Sequence, residues 1–191
     1  MANLTPTHRF ETARLLLRPF VPSDAADVQR LAGEQAVART TLSLPHPYPD
    51  GAAELWIDFR TDAARHGHGF TFAIVHKESD ALMGCISLNI TSEHRRGEIG
   101  YWLGQSFWGN GYSTEALIQI LHFGFNTIGL NRIWGAAMTK NPASSAVMLK
   151  AGLKHEGLFK QHIRKWDQYE DIHYYGLTKA DYLGSVQQEE G

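Results

Sequence analysis

Trp108-Gly109-Asn110-Gly111-Tyr112-Ser113-Thr114-Glu115-Ala116 follows the apolar run from Ile99 to Leu103 and leads into a helical pattern over Thr114 to Phe125. Two glycines one residue apart reach φ values that other residues avoid, and their bare backbone lets a ligand lie against it. Behind them the first turn of a helix offers unpaired N–H groups and the positive end of its dipole. An anionic group is the natural occupant of such a loop. A Gly-x-Gly pair also fits a plain turn ahead of a helix, so the motif by itself leaves both readings open.

The chain has 191 residues and 43% hydrophobic content, which suits one domain with a full core. We expect that domain over 1–183 and a disordered polar tail over 184–191. A formal charge of −2 and a pI near 6.5 imply no broad basic face, so no specific nucleic acid is expected as a partner. The single cysteine, Cys85, excludes an internal disulfide framework and fits a reducing compartment as a small buried hydrophobe. With no apolar run of spanning length and no signal-peptide pattern, no membrane is expected and the location is read as cytoplasmic. The ten histidines are scattered, and His66 and His68 sit in a glycine-rich turn without companion ligands, so no metal is expected.

Glu11 to Phe20, with Leu15-Leu16-Leu17 between Arg14 and Arg18 and then Pro19, reads as a first strand, and Ser23-Asp24 offers an N-cap to a first helix with Ala25, Val28 and Leu31 in step. Three prolines make 42–50 a loop, and 52–65 resumes helical spacing. Phe70 to His76 and Leu82 to Ile90 read as a hairpin about 77–80, with Gly84 marking a bulge or close approach. A fourth strand, Glu98 to Leu103, precedes the glycine loop and its helix. Ile133 to Met138 lacks polar alternation and reads as a central strand covered on both faces. Asn141-Pro142 starts a helix closed by Gly152, and 154–163 with 169–177 form two last strands. The order predicts an α/β fold with a mixed sheet of about seven strands and four helices, and one parallel pair where the glycine-loop helix crosses between strands four and five.

Thr12 to Pro19, Pro22 to Asp24, Gly97 to Gly104 with Trp108 to Ala116, Asn141 to Gly152, and Glu156-Gly157 with Asp171 together resemble the GNAT superfamily of acetyl-CoA-dependent N-acetyltransferases. The resemblance covers nearly the whole chain and is to the RimJ/RimL-like branch, which includes ribosomal-protein N-terminal acetyltransferases. It implies a GNAT-like fold with splayed strands four and five, and acetyl-CoA as cofactor. Pantetheine would meet the backbone of Tyr101, Trp102 and Leu103. The pyrophosphate would sit on Trp108, Gly109, Asn110, Gly111, Tyr112 and Ser113. Asn141 and Ser144 would lie beside the pantetheine, and Ser144 would protonate the departing sulfur. Four positions depart from the family pattern: Trp108 stands where the superfamily has Gln or Arg and Ser113 where it has Gly or Ala, Ile163 stands where the branch has a glutamate base, and Met148 where many members have a tyrosine acid.

For the base the reading takes Glu98, the carboxylate of the fourth strand, with His162 as a substitute. Each of these residues has a plainer role open to it: Asn141 as an N-cap, Ser144 as a first-turn serine bonding locally, Glu98 as a solvated charge beside Arg95 and Arg96. Without the family glutamate, an amine that is already partly neutral is the easier acceptor. A protein α-amine has a pKa of roughly 7.7–8.0 against ~10.4 for lysine. The expected reaction is therefore direct acetyl transfer in a ternary complex to a primary amine, an N-terminal α-amine above all. A small-molecule N-acetyltransferase acting on a polyamine, antibiotic or amino-acid derivative is the alternative, and a non-catalytic acyl-CoA binding module a third. His46, Tyr48, Trp56 and Trp166 are expected to line the acceptor pocket. A homodimer is left open.

Overall fold

The computed structural model describes residues 8–189. Three consecutive leucines in an extended chain point to alternate faces, so Leu15, Leu16 and Leu17 need apolar cover on both sides. Leu15 and Leu17 enter one core with Phe72, Ile86, Leu117 and Ile120, while Leu16 enters a second with Val28, Leu31, Ile57 and Cys85. Between the two cores lies one sheet of eight strands: β1 (Phe10–Glu11), β2 (Leu15–Pro19), β3 (Gly69–His76), β4 (Leu82–Thr91), β5 (Arg96–Leu103), β6 (Arg132–Met138), β7 (Lys154–Lys165) and β8 (Gln168–Thr178). Their order across the sheet is β1-β2-β3-β4-β5-β6-β8-β7. Every neighbouring pair is antiparallel except β5 with β6.

Helices α4 (Tyr112–His122) and α5 (Pro142–Lys150) cover the first face. Helices α1 (Ala25–Ala32), α2 (Gln35–Thr40) and α3 (Ala52–Arg65) cover the second. The mixed α/β fold with its single parallel crossover is the expected one. Helix α3 has the bounds that its apolar spacing predicts, and α5 begins as expected, with the Asn141 side chain accepting from Ser144 N at 3.2 Å. Gly84 is a close approach, since a Cβ there would stand 2.1 Å from the Trp102 carbonyl oxygen.

Four expectations need correction. The first strand is two, because Thr12 N turns back to the Leu15 carbonyl at 2.9 Å and separates Phe10–Glu11 from Leu15–Pro19. The helix count is six among the described residues. One addition is α2, a turn and a half long with no side-chain cap to announce it. The other is α6 (Lys179–Glu189), which runs through most of the stretch expected to be disordered. Its start is held from the sheet: Lys179 N donates to the Asn131 carbonyl at 2.8 Å, Asp181 N to Thr178 Oγ1 at 3.2 Å, and Tyr182 stacks on Phe125 at 4.8 Å. Glu190 and Gly191 lie outside the described residues. Finally, β6 is central but not covered on both faces. Ile133, Gly135 and Ala137 are buried, whereas Trp134 and Ala136 on the other face are half-exposed.

Among the described residues no helix is long and apolar enough to cross a membrane, and no cluster of three metal-ligating side chains occurs. Cys85 is fully enclosed, and burial pushes its thiol up to about 12. Because the thiolate is the reactive form, the native protein is expected to resist thiol reagents at pH 8 and to react stoichiometrically once unfolded in guanidinium. Rapid native labelling followed by absorbance would contradict this placement.

Candidate active site

The parallel pair β5–β6 is joined over only three rungs, Arg96 to Arg132, Gly97 to Ile133 and Glu98 to Trp134. Past that point each strand keeps its other partner. β5 continues on β4 as far as Leu103 opposite Gly84, and β6 continues on β8 as far as Met138 opposite Ile172. The strands therefore part like a fork. The edges of β5 and β6 that face each other beyond Glu98 and Trp134 carry no ladder bonds, leaving backbone groups for a ligand. Tyr101, Trp102 and Leu103 lie on this open stretch. The Leu103 carbonyl also accepts from the Trp108 indole at 2.8 Å, which pins Trp108 beneath the loop.

At the open end of the fork stands the glycine loop. Gly109 and Gly111 both adopt φ +78. Asn110 Nδ2 donates to the Phe107 and Trp108 carbonyls at 3.2 and 3.0 Å and so fixes the loop's own turn. Among the described residues the amides from Gly109 to Thr114 have no acceptor within the chain, the first intrahelical bond running from Glu115 N to the Gly111 carbonyl at 3.1 Å. Six unpaired donors at a helix start form a strong anion cradle. Sequence reasoning missed the brace behind it. Arg14 donates from Nη1 to the Asn110 carbonyl at 2.9 Å and from Nε to Glu115 at 2.8 Å, with Tyr112 stacked 4.6 Å from its guanidinium. Burial raises the Glu115 carboxyl, but bonds from Thr12 and Arg14 outweigh it and hold the group below the ordinary carboxylate value.

The start of α5 lies on the other arm of the fork. Asn141 accepts from Ser144 N and also donates from Nδ2 to the Thr40 carbonyl at 3.0 Å, tying α5 to the end of α2. Ser144 Oγ is 2.9 Å from the Tyr101 hydroxyl, which also donates to the Ser144 carbonyl at 3.0 Å. Burial raises the Tyr101 phenol far above its usual value, opposed by the bond to Ser144, so this tyrosine stays protonated. Tyr101 and Ser144 thus meet across the gap, a pairing that strand and helix patterns could not give separately.

Glu98 occupies the last rung before the strands part, on the same face of β5 as Trp102 by the period-two rule. That face is the one covered by α1 and α3, opposite to α4 and α5. Burial raises its carboxyl above the ordinary value, with Arg96 opposing. Across the fork Tyr174 stacks on Trp134 at 5.5 Å, and its hydroxyl lies 3.1 Å from His162 Nε2. Burial and the nearby Glu98 charge both raise the Tyr174 phenol. Glu98, Tyr174 and His162 therefore share one face. Tyr174 was not among the expected residues, because β8 lies beside β6 only through a non-consecutive pairing.

The four expected acceptor residues separate into two pairs. His46 and Trp166 lie together, rings 6.1 Å apart, where the proline loop meets the β7–β8 hairpin. Trp56 packs edge-on against Phe20 at 5.0 Å, and Tyr48 also packs against the second core, its carbonyl accepting from Gln29 at 3.1 Å.

Comparison with known proteins agrees with this geometry. The family model described as an acetyltransferase (GNAT) domain matches residues 14–154. An uncharacterized N-acetyltransferase of Bacillus licheniformis is 29% identical over 91% of this chain and 97% of its own. The ribosomal-protein-serine acetyltransferase of Escherichia coli is 33% identical over 58% of this chain and 62% of its own. The solved structure of RimL, a ribosomal alpha-N-protein acetyltransferase in complex with coenzyme A, superposes with a TM-score of 0.83 at 21% identity, covering 90% of this chain and 98% of that one.

Proposed function

The chain belongs to the GNAT acetyltransferase family, and from that premise we propose that it transfers acetyl from acetyl-CoA directly to a primary amine, a protein N-terminal α-amine above all. The observation that carries the reading is the run of unpaired amides from Gly109 to Thr114 at the open end of the β5–β6 fork. Those donors fit a pyrophosphate, and the unpaired strand edges fit the amide-bearing pantetheine arm. RimL, of the same fold, was solved with coenzyme A.

Acetyl-CoA supplies the activated acyl group as a thioester. The chain's own residues then have three tasks. Glu98, raised in pKa at the root of the fork, takes the proton from the acceptor nitrogen, directly or through a water. Backbone N–H groups on the open edge of β5 hold the acyl oxygen as charge develops on it. Ser144 Oγ delivers a proton to the departing sulfur, and the Tyr101 hydroxyl 2.9 Å away holds the serine in place. The α-amine is favoured because its pKa of roughly 7.7–8.0 leaves an appreciable neutral fraction at neutral pH without a strong base.

Two measurements test this. Thiol release from acetyl-CoA with a panel of amines should show turnover on N-terminal peptides, and activity confined to high-pKa amines across a pH–rate profile would count against the α-amine. CoA binding without turnover on any amine would instead support a binding module. Ser144→Ala is expected to lower kcat by about 10²-fold, the low end for losing a general acid, with little change in CoA affinity. Unchanged kcat would leave Ser144 with a purely structural role.

A further inference from the structure

A cleft of about 580 Å³ opens between α2 and the β7–β8 hairpin, lined by Arg39, Lys140, Lys165, Trp166 and Glu170 among others. Its charge is unbalanced. Lys140 pairs with Glu170, the one carboxylate of the lining. Arg39 makes no ion pair among the described residues. Lys165 is only 7% exposed, yet its ammonium has a single hydrogen-bond acceptor there, the Leu44 carbonyl at 2.7 Å. A lysine ammonium has three donors, and a buried charge without a counter-charge is costly. Burial and the neighbouring Lys140 both hold Lys165 below the ordinary lysine pKa. Three cations against one carboxylate leave two positive charges unmatched, although the whole chain is formally −2. The Arg164–Asp167 pair at the hairpin tip is internally balanced and does not alter that sum.

The cleft adjoins the fork. Lys140 precedes Asn141, whose side chain bonds both to Ser144 N and to the carbonyl of Thr40, the residue after Arg39. The His46–Trp166 pair lies at the same hairpin. Trp166 itself lies 5.2 Å from the Lys165 ammonium.

We propose that this cleft binds a carboxylate carried by the acceptor a few bonds beyond its reacting amine, so that the enzyme prefers acidic acceptors to neutral ones and rejects polyamines. The inference rests on the acetyltransferase reading, and it names the substrate class of that site. A carboxylate entering the cleft meets Arg39 and Lys165, supplies the missing counter-charge, and leaves the amine directed at the fork. A polyamine would bring further positive charge to the same place.

The test uses the full chain, saturated with acetyl-CoA for turnover and with coenzyme A for binding. Peptides share one N-terminal residue and differ at the third and fourth positions as Asp/Glu, Asn/Gln or Lys/Lys. Free glutamate and its diamide separate a small amino dicarboxylate from a peptide as the source of the carboxylate. Acetylation should favour the acidic peptide over the basic one by about tenfold or more in kcat/KM, falling at higher ionic strength. Arg39→Gln, at an exposed position, and Lys165→Met should each shrink that ratio towards one. Equal kcat/KM for the three peptides, or better turnover of spermidine, would overturn the proposal while leaving the acetyltransferase reading intact. Calorimetry of peptide binding gives the second readout. If no peptide is acetylated, tighter binding of the acidic peptide that is lost in Arg39→Gln upholds the cleft and refutes the reaction. Indifferent binding refutes the cleft.

Discussion

Gly111→Glu is expected to weaken coenzyme A binding by at least about 10²-fold, since it turns the donor-rich cradle against its anion. Two effects act together. At φ +78 a residue with a Cβ sits in left-handed backbone, a cost of roughly 1–2 kcal/mol for L-residues. The larger effect is charge. A Cβ at this position would stand 3.5 Å from Arg14 Nη2, so the new carboxylate competes with the Asn110 carbonyl and Glu115 for the guanidinium that braces the loop and adds a negative charge to the loop that carries the amides. That charge repels a pyrophosphate. Isothermal calorimetry should show no measurable heat with coenzyme A where the parent binds. The melting temperature should fall by only the few degrees that backbone strain implies. Gly109→Ala supplies the control: it carries the same φ, and its Cβ would meet nothing within 4 Å, so it tests strain without an added charge. Wild-type affinity in Gly111→Glu would remove the glycine loop from the cofactor site.

What the chain order made legible is what local chemistry decides. The Asn141-Pro142 cap, the positive φ at Gly111 and Gly152, the bounds of α3 and the three-leucine strand each follow from a few adjacent residues, and each is present. The parallel crossover is also local in its logic, because a helix between two strands forces it. Features set by distant pairing were not legible. Tyr174 joins Glu98 only because β8 inserts between β6 and β7, and Arg14 reaches Glu115 across 101 positions of sequence. α2 escaped notice because six residues without a capping side chain give no helical signature. Aromatic residues are ambiguous for a physical reason: Tyr48 and Trp56 have the same composition signal as His46 and Trp166, and only tertiary contact places the first two against the second core and the other two together at the hairpin. Ile163, which the resemblance sets against the family's glutamate, pairs across the hairpin with Glu170, which is engaged by Lys140. Glu98, proposed above as the base, stands on the last rung of the parallel pair.

That assignment makes the second large prediction. Glu98→Gln is expected to lower kcat by roughly 10²–10³-fold, within the range for loss of a general base, while coenzyme A affinity stays near the parent value because the loop and α5 are untouched. The same substitution should stabilise the protein at neutral pH. The Glu98 carboxyl is raised by burial despite Arg96, so the folded state holds its proton more tightly than the unfolded chain does. For a group raised in this sense, the favourable contribution is complete below the unfolded value of about 4.3, and it is lost as pH rises through the folded value. At pH 7 the parent thus retains a half-buried charge that glutamine lacks. Melting curves should place Glu98→Gln above the parent at pH 7, with the two converging near pH 4. A purely solvated Glu98 would give neither effect: turnover would persist and the melting temperatures would coincide at both pH values. If turnover falls with no stability gain, the carboxylate is held by a partner rather than strained by burial, and the acid limb of the pH–rate profile should then move down instead of up. His162→Gln distinguishes the remaining route. Its imidazole reaches Tyr174 at 3.1 Å, so a loss as large as that of Glu98→Gln would assign proton removal to the histidine and tyrosine, with Glu98 acting on them through its charge.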